Sequence, residues 1–278
     1  MQAAIEVLSD IELRRRPAAD ALKDWGLAHR FAGSGDRAAI AGLVYDALRR
    51  RASSAWRMGS EEPRALVLGA LAFVRGETPE SLDALFAGDR FAPAPPSEAE
   101  RGALMSSDLE GAPSWVAGDY PEWLHPSFER AFGASAAEEG RALAERAPLD
   151  LRANTLKADR GRLLEALAHL RPALTPLSPL GLRIRPGADG RLPPVQTEAA
   201  FHKGWFEIQD EGSQLAALLS GVQPGEQVVD LCAAGGGKTL ALAAMMQNHG
   251  QIYATDGDPR RLPPIHDRLA RAGVRNVQ

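Results

Sequence analysis

The residues best equipped for chemistry lie between Asp230 and Asp256. Val228-Val229-Asp230-Leu231 is a short apolar run of the kind a buried parallel strand uses. It opens directly into Cys232-Ala233-Ala234-Gly235-Gly236-Gly237-Lys238-Thr239. Small residues at such a turn let the backbone approach a ligand, and a helix starting there presents unpaired N–H groups. A second run, Gln251 to Thr255, closes on Asp256, where a carboxylate can accept both hydroxyls of a ribose.

Two nucleotide chemistries fit that outline. A phosphate-binding loop needs G-x-x-x-x-G-K-[ST]; Gly237-Lys238-Thr239 supply its end, but its first glycine would stand at Cys232. The alternative is a Rossmann-like site for S-adenosylmethionine, with Asp230 and Asp256 on successive strand tips. The second fits better, because the glycine that fails is the one a phosphate cradle requires. A glycine turn alone is as often a plain connection, and the acid on the next strand tip is what favours a nucleotide.

These residues need a strand, a helix and a second strand around them. Leu240 to Met246 is an apolar helical run, and Asn248-His249-Gly250 ends it as C-terminal caps do. Pro263-Pro264 start a helix to about Ala272, capped by Gly273, and Val274 to Gln278 begins a third strand. Upstream, Phe206 to Asp210 leads into a helix, Ser213 to Leu219, with Gln209 and Asp210 as capping and turn residues. Leu149 to Asn154 alternates apolar and polar like a half-buried strand. Arg162 to Leu170 follows as a helix with Leu163, Leu164, Leu167 and Leu170 inward.

Residues before Gly133 read as helices, and Ala134 to Ala147 as a connecting helix. Ile40, Leu43, Val44, Ala47 and Leu48 mark the buried face of a helix that Asp36 can cap and that ends in Arg49-Arg50-Arg51. That triplet and Arg14-Arg15-Arg16 are each either a solvated helix end, suited to the macrodipole, or a contact for RNA phosphate. Trp123, beside Leu124, is expected in the core.

Pro224 to Thr239 resembles the first methyltransferase motif of the RNA 5-methylcytosine methyltransferases, the Sun/NOL1/NOP2 family, in the form PGE-x-V-x-D-x-CAAPGGKT. Gly235 stands where that motif has proline. Gly204 to Leu215 resembles the family's G-x-x-x-QDE-x-SQL segment, Leu151 to Lys157 its LR-x-N-x-x-K segment, and Tyr120 to Leu124 its P-x-WL segment. The likeness runs over nearly the whole chain. It implies an all-α part joined to an α/β part: a NusB-like helical RNA-binding domain at 1–133, a connecting helix and RRM-like αβ domain at 134–203, and the first part of a Rossmann-like methyltransferase domain at 204–278.

The implied cofactor is S-adenosylmethionine, held by Cys232, Ala233, Ala234, Gly235, Gly236, Gly237, Lys238, Asp256 and Arg261. The implied partner is RNA, of the 16S ribosomal kind, with Arg49, Arg50, Arg51, Arg152, Asn154 and Lys157 as contacts. Arg152 reads equally as a surface strand residue. Family members add a thiolate at C6 of cytosine to make C5 nucleophilic, and they use two cysteines on strands beyond the second. This chain has one, Cys232, in the cofactor turn, so no catalytic residue is expected in it. A doubly wound sheet would leave the first strand without a neighbour on one side, and the sequence reads as the front portion of a longer enzyme. The runner-up is a non-catalytic NusB-like RNA-binding protein with a vestigial methyltransferase fold.

Composition bounds these readings. At 278 residues the chain has room for about two domains. No apolar run approaches the roughly 20 residues of a membrane span, and the first residues lack a signal-peptide pattern. A single cysteine suits a reducing cytoplasm. The net charge of -4 argues against a uniformly basic nucleic-acid coat but allows a local basic face. The expectation is a monomer with no metal and no membrane partner.

Overall fold

A computed structural model describes residues 1–86, 92–105, 108–187 and 192–278. The chain divides into two compact units, Met1–Glu145 and Arg146–Gln278.

The first unit is helical: α1 (Gln2–Arg14), α2 (Ala18–Ala28), α3 (Ser34–Arg49), α4 (Arg51–Met58), α5 (Pro63–Gly69), α6 (Pro79–Phe86), α7 (Glu98–Met105), α8 (Ser114–Ala117), α9 (His125–Phe132) and α10 (Ala136–Leu143). Leu8, Val44, Leu66, Leu68 and Leu82 are at its core. The expected face of α3 is the one that packs: Leu43, Val44 and Ala47 are buried, and Ile40 and Leu48 lean on the same cluster. The arginine triplet, however, is not one helix end. α3 stops at Arg49, Arg50 breaks the run at φ −115° and ψ 30°, and Arg51 begins α4.

Trp123 is a further correction. It is 77% exposed, carried outward on the short turn Glu122–Leu124. Tyr120 is the aromatic that buries here, stacked 4.1 Å from Phe128. The connecting helix, α10, packs into this unit: a Cβ on Gly140 would meet the Gly118 carbonyl oxygen at 2.5 Å.

The second unit begins with β1 (Leu149–Ala153), α11 (Arg160–Ala166), β2 (Ala173–Leu174), β3 (Gly181–Ile184), α12 (Ala199–His202) and β4 (Phe206–Ile208). The four strands form one antiparallel sheet in the order β2-β3-β1-β4, with Leu151 opposite Leu182 on one side and Ile208 on the other. Leu151, Leu163, Leu182 and Phe206 fill its core. The half-buried reading of β1 fails, because Asp150 and Arg152 are buried as well as Leu151. A central strand has neighbours on both edges, and here Arg183, Gln209 and the start of the next helix close over its polar face. A domain boundary at residue 204 also cuts this sheet, since β4 pairs with β1.

α13 (Glu211–Leu218), β5 (Gln227–Asp230), α14 (Gly237–Met245), β6 (Gln251–Ala254) and α15 (Pro264–Ala272) complete the unit. β5 and β6 pair in parallel with Val228 opposite Ile252. After α15 the chain returns to the far edge of β6, where Ile252 N–H donates to the Asn276 carbonyl at 2.8 Å and Gln278 N–H to Ile252 at 2.9 Å. The expected third strand thus starts beside the second. The outer edge of β5 is open among the described residues, and Val229 on it is 63% exposed. Among the described residues no helix is long and apolar enough to cross a membrane.

Candidate functional site

For α14 to start directly after β5 the chain must turn sharply, and two left-handed residues do this: Ala234 at φ 46° and Gly236 at φ 79°. A Cβ on Gly236 would meet Ile265 Cγ1 at 2.4 Å, so only glycine fits. Ala234 holds a conformation that disfavours a side chain, and the bonds around it fix it there. Its N–H donates to Asp256 Oδ2 at 3.0 Å, and the N–H of Ala233 to the Thr255 carbonyl at 2.8 Å. The tip of β5 is set separately, by Thr239 Oγ1 donating to Asp230 Oδ2 at 2.7 Å. Thr239, the last residue of the glycine motif, is fully buried and so holds the strand tip rather than facing a ligand.

Asp256 accepts a second backbone N–H, from Asp258 at 3.0 Å, on its other oxygen, which lies 3.6 Å from Arg261. Its side chain is 4% exposed. A carboxylate accepts about four hydrogen bonds, so this one is aimed by the backbone and keeps lone pairs for further donors. The expected set does not wholly converge. Cys232 is an exposed free thiol, and Lys238 lines a groove of about 310 Å³ with Val229, Leu231 and Leu242, to which Asp256 does not contribute.

Behind the turn lies a buried polar layer. Arg268 on α15 donates through Nη1 to the Gly235 carbonyl at 2.5 Å, and through Nε and Nη2 to Glu207 Oε2 at 3.2 and 2.9 Å. Glu207, its side chain 3% exposed, holds Arg271 with its other oxygen. The Arg271 guanidinium also sits 3.7 Å over the Phe201 ring. Arg152 is 1% exposed; Nε donates to Gln209 Oε1 at 2.6 Å, and buried Nη1 has no partner. Burial lowers the pKa of Arg152 to about 10, Glu207 working against that and Arg268 with it. One carboxylate therefore pairs with two guanidiniums and faces a third. A glutamate between two apolar strand residues reads as solvent-facing, and nothing local announces arginines 61 and 64 residues further on.

The expected RNA contacts also change. Arg152 is no surface residue, and buried Asn154 donates through Nδ2 to the carbonyls of Gly204 at 2.8 Å and Ala272 at 2.9 Å. Neither offers a ligand any surface. Exposed Lys157 donates to the carbonyls of Arg271 at 2.7 Å and Lys203 at 3.2 Å, the first in the last turn of α15, where a cation is favoured. In the first unit each guanidinium of the triplet holds carboxylates. Arg49 binds Asp46 at 2.9 Å; Arg50 binds Glu145 and lies 3.6 Å from Asp119; Arg51 binds Glu12 at 2.7 Å and Glu61 at 3.5 Å.

Comparison with known proteins bears on these features. Residues 217–278 match the family model described as 16S rRNA methyltransferase RsmB/F, and residues 120–189 that of an RsmF/B-like ferredoxin-like domain. A ribosomal RNA small subunit methyltransferase B of Sodalis glossinidius is 36% identical over 158 residues, 56% of this chain and 35% of that protein. A 28S rRNA (cytosine-C(5))-methyltransferase of Mus musculus is 42% identical over 85 residues, 29% of this chain and 18% of its own length. The chain thus spans about a third of its bacterial relative. A methyltransferase homolog protein from Pyrococcus horikoshii superimposes on 59% of this chain and 53% of its own, with a TM-score of 0.52 and 29% identity. The crystal structure of PH0851 covers 100% of this chain and 68% of its own, at TM-score 0.64 and 22% identity, a likeness of fold.

Proposed function

We propose that the chain is a member of the RsmB/F family of ribosomal RNA methyltransferases and that it serves S-adenosylmethionine-dependent methylation of C5 of a cytosine in 16S ribosomal RNA. The observation that carries the reading is the turn after β5, where motif residues are folded around Asp256. S-adenosylmethionine would supply an electrophilic methyl group on a sulfonium. The residues present fit it. A Cβ on Gly257 would meet nothing within 4 Å and one on Gly237 only Gln209 Nε2 at 3.7 Å, so the approach is open. Asp256 is aimed by two backbone N–H groups and keeps lone pairs for ribose hydroxyls, and α14 offers the unpaired N–H groups of its first turn.

Cys232 shapes this turn rather than attacking a base, since among the described residues no general base is hydrogen-bonded to its thiol. The helical unit, Met1–Glu145, supports a NusB-like RNA-binding role, and the antiparallel sheet of the second unit an RRM-like one. Glu12, Glu61 and Glu145, which hold Arg50 and Arg51, are accessible enough for RNA phosphates to replace them. The protein would act as a monomer in the cytoplasm. Calorimetric titration with S-adenosylmethionine tests the cofactor assignment. Weak binding that Asp256→Ala abolishes is expected, and tight binding indifferent to Asp256 would place the site elsewhere.

A further inference from the structure

Gly235 occupies the position where the family motif carries proline, and the same residue is gripped from behind. Arg268 Nη1 reaches the Gly235 carbonyl at 2.5 Å, and a Cβ on Gly235 would stand 3.1 Å from that nitrogen. The guanidinium therefore fills space that a side chain at 235 would contest. Its other two donors are fixed on Glu207 Oε2, and Glu207 is anchored by Arg271 and faces buried Arg152. A proline would stiffen the turn through its ring, by restricting the unfolded chain. Arg268 can stiffen it by a charge-assisted hydrogen bond whose donor is already immobile.

We propose that Arg268 is a positioning residue that holds the cofactor turn in place of the missing proline ring, with Glu207 on β4 as its anchor. The antiparallel sheet and the glycine turn are then one mechanical element, and anything that shifts β4 shifts the turn. This rests on the cofactor reading only for its consequence in binding; the clamp itself is a property of the ligand-free chain.

The test is a set of variants read by hydrogen exchange at the amides of residues 233–237 and by titration with S-adenosylmethionine. Arg268→Met keeps the bulk and removes every donor. Turn amides should exchange roughly ten- to a hundredfold faster, the loss expected for a charged hydrogen bond, while amides of α3 and α5 are unchanged. Gly235→Ala keeps Arg268 but forces its Nη1 to give by a few tenths of an ångström against the added Cβ, and should raise exchange at the same amides by less than Arg268→Met does. Combined with Arg268→Met it should add nothing. Gly235→Pro in the Arg268→Met background should recover about two- to fivefold of the protection, with cofactor affinity following.

Unchanged turn exchange in Arg268→Met overturns the proposal, as does full additivity of the first two variants. Faster exchange with no measurable cofactor binding in any variant, the parent included, would leave the clamp standing and sink the cofactor reading. If Arg268→Met does not fold, Gly235→Ala alone still decides: faster exchange at the turn amides is expected, and exchange equal to the parent's overturns the proposal.

Discussion

Arg152→Met should be close to neutral for stability, whereas Glu207→Gln should be severely destabilising, although the two residues face each other. Burial that holds the Arg152 pKa down at about 10, below the ordinary guanidinium value, corresponds to about 3 kcal/mol against carrying that charge in the fold. The penalty applies at every pH below about 10, where both folded and unfolded states are protonated. Methionine removes it, but it strands Gln209 Oε1, which now accepts from Nε at 2.6 Å, and that costs about 1–3 kcal/mol. The terms nearly cancel, leaving a net change within about 1.5 kcal/mol. Glu207→Gln instead leaves Arg268 and Arg271 without the carboxylate they pair with, and Arg152 without the one it faces, a loss of about 3–5 kcal/mol. Native-state hydrogen exchange of the β1 amides reads the second unit alone and provides the measurement. If Arg152→Met costs more than about 3 kcal/mol, or Glu207→Gln less than about 1 kcal/mol, the account of the layer as one anion paired with two cations and facing a third is wrong.

Glu100 is held below the ordinary 4.5 by Arg64, which donates at 2.7 and 3.2 Å, with the Ser97 N–H adding to the effect. Its contribution is complete above the unfolded value and disappears as pH falls through the lowered one. Glu100→Gln should therefore lose about 1 kcal/mol near neutrality and flatten the acid limb of an unfolding-against-pH curve. An acid limb identical to the parent's would contradict this. Replacing Arg49, Arg50 and Arg51 by alanine should destabilise the first unit by at least about 1 kcal/mol, since Asp46 and Asp119 are buried partners. The salt slope of RNA binding should fall by no more than about two contacts, because Arg49 stays tied to buried Asp46; an unchanged slope removes the triplet from the RNA face. With labelled S-adenosylmethionine and unmodified 16S RNA, this chain alone should transfer no methyl group to cytosine. Incorporation at C5 above background would show that a second thiol is not needed.

The order strand, glycine turn, helix, strand, acid was legible because it rests on local signals: apolar runs, caps and residues that tolerate tight backbone. The helix faces read the same way, as Leu43, Val44 and Ala47 show. The failures have two kinds of cause, partners distant in sequence and small local changes of backbone. Alternation at Leu149–Asn154 says that two faces differ, not that one of them is wet, and long-range partners close over Asp150 and Arg152. The residue type of Trp123 points inward, yet a three-residue turn decides its direction. Arg51 reads as the end of a helix it does not belong to, since one residue of altered backbone at Arg50 leaves no mark in the composition. Arg268 was invisible for the plainest reason: its role is defined by a carbonyl 33 residues away and a carboxylate 61 away.

Asn154 and its two carbonyl partners set a schedule as well as a shape. The bond from its amide to Ala272 spans 118 residues, and the one to Gly204 spans 50. Closing contacts of that separation is slow, because the intervening chain must be ordered first. During synthesis the helical unit has all its residues by Glu145 and can fold as a body. The second unit cannot seal the end of β1 until α15 has been made. Until then Asn154 has a buried address and no occupant for one of its donors, and the nascent sheet waits, open, for α15 to arrive.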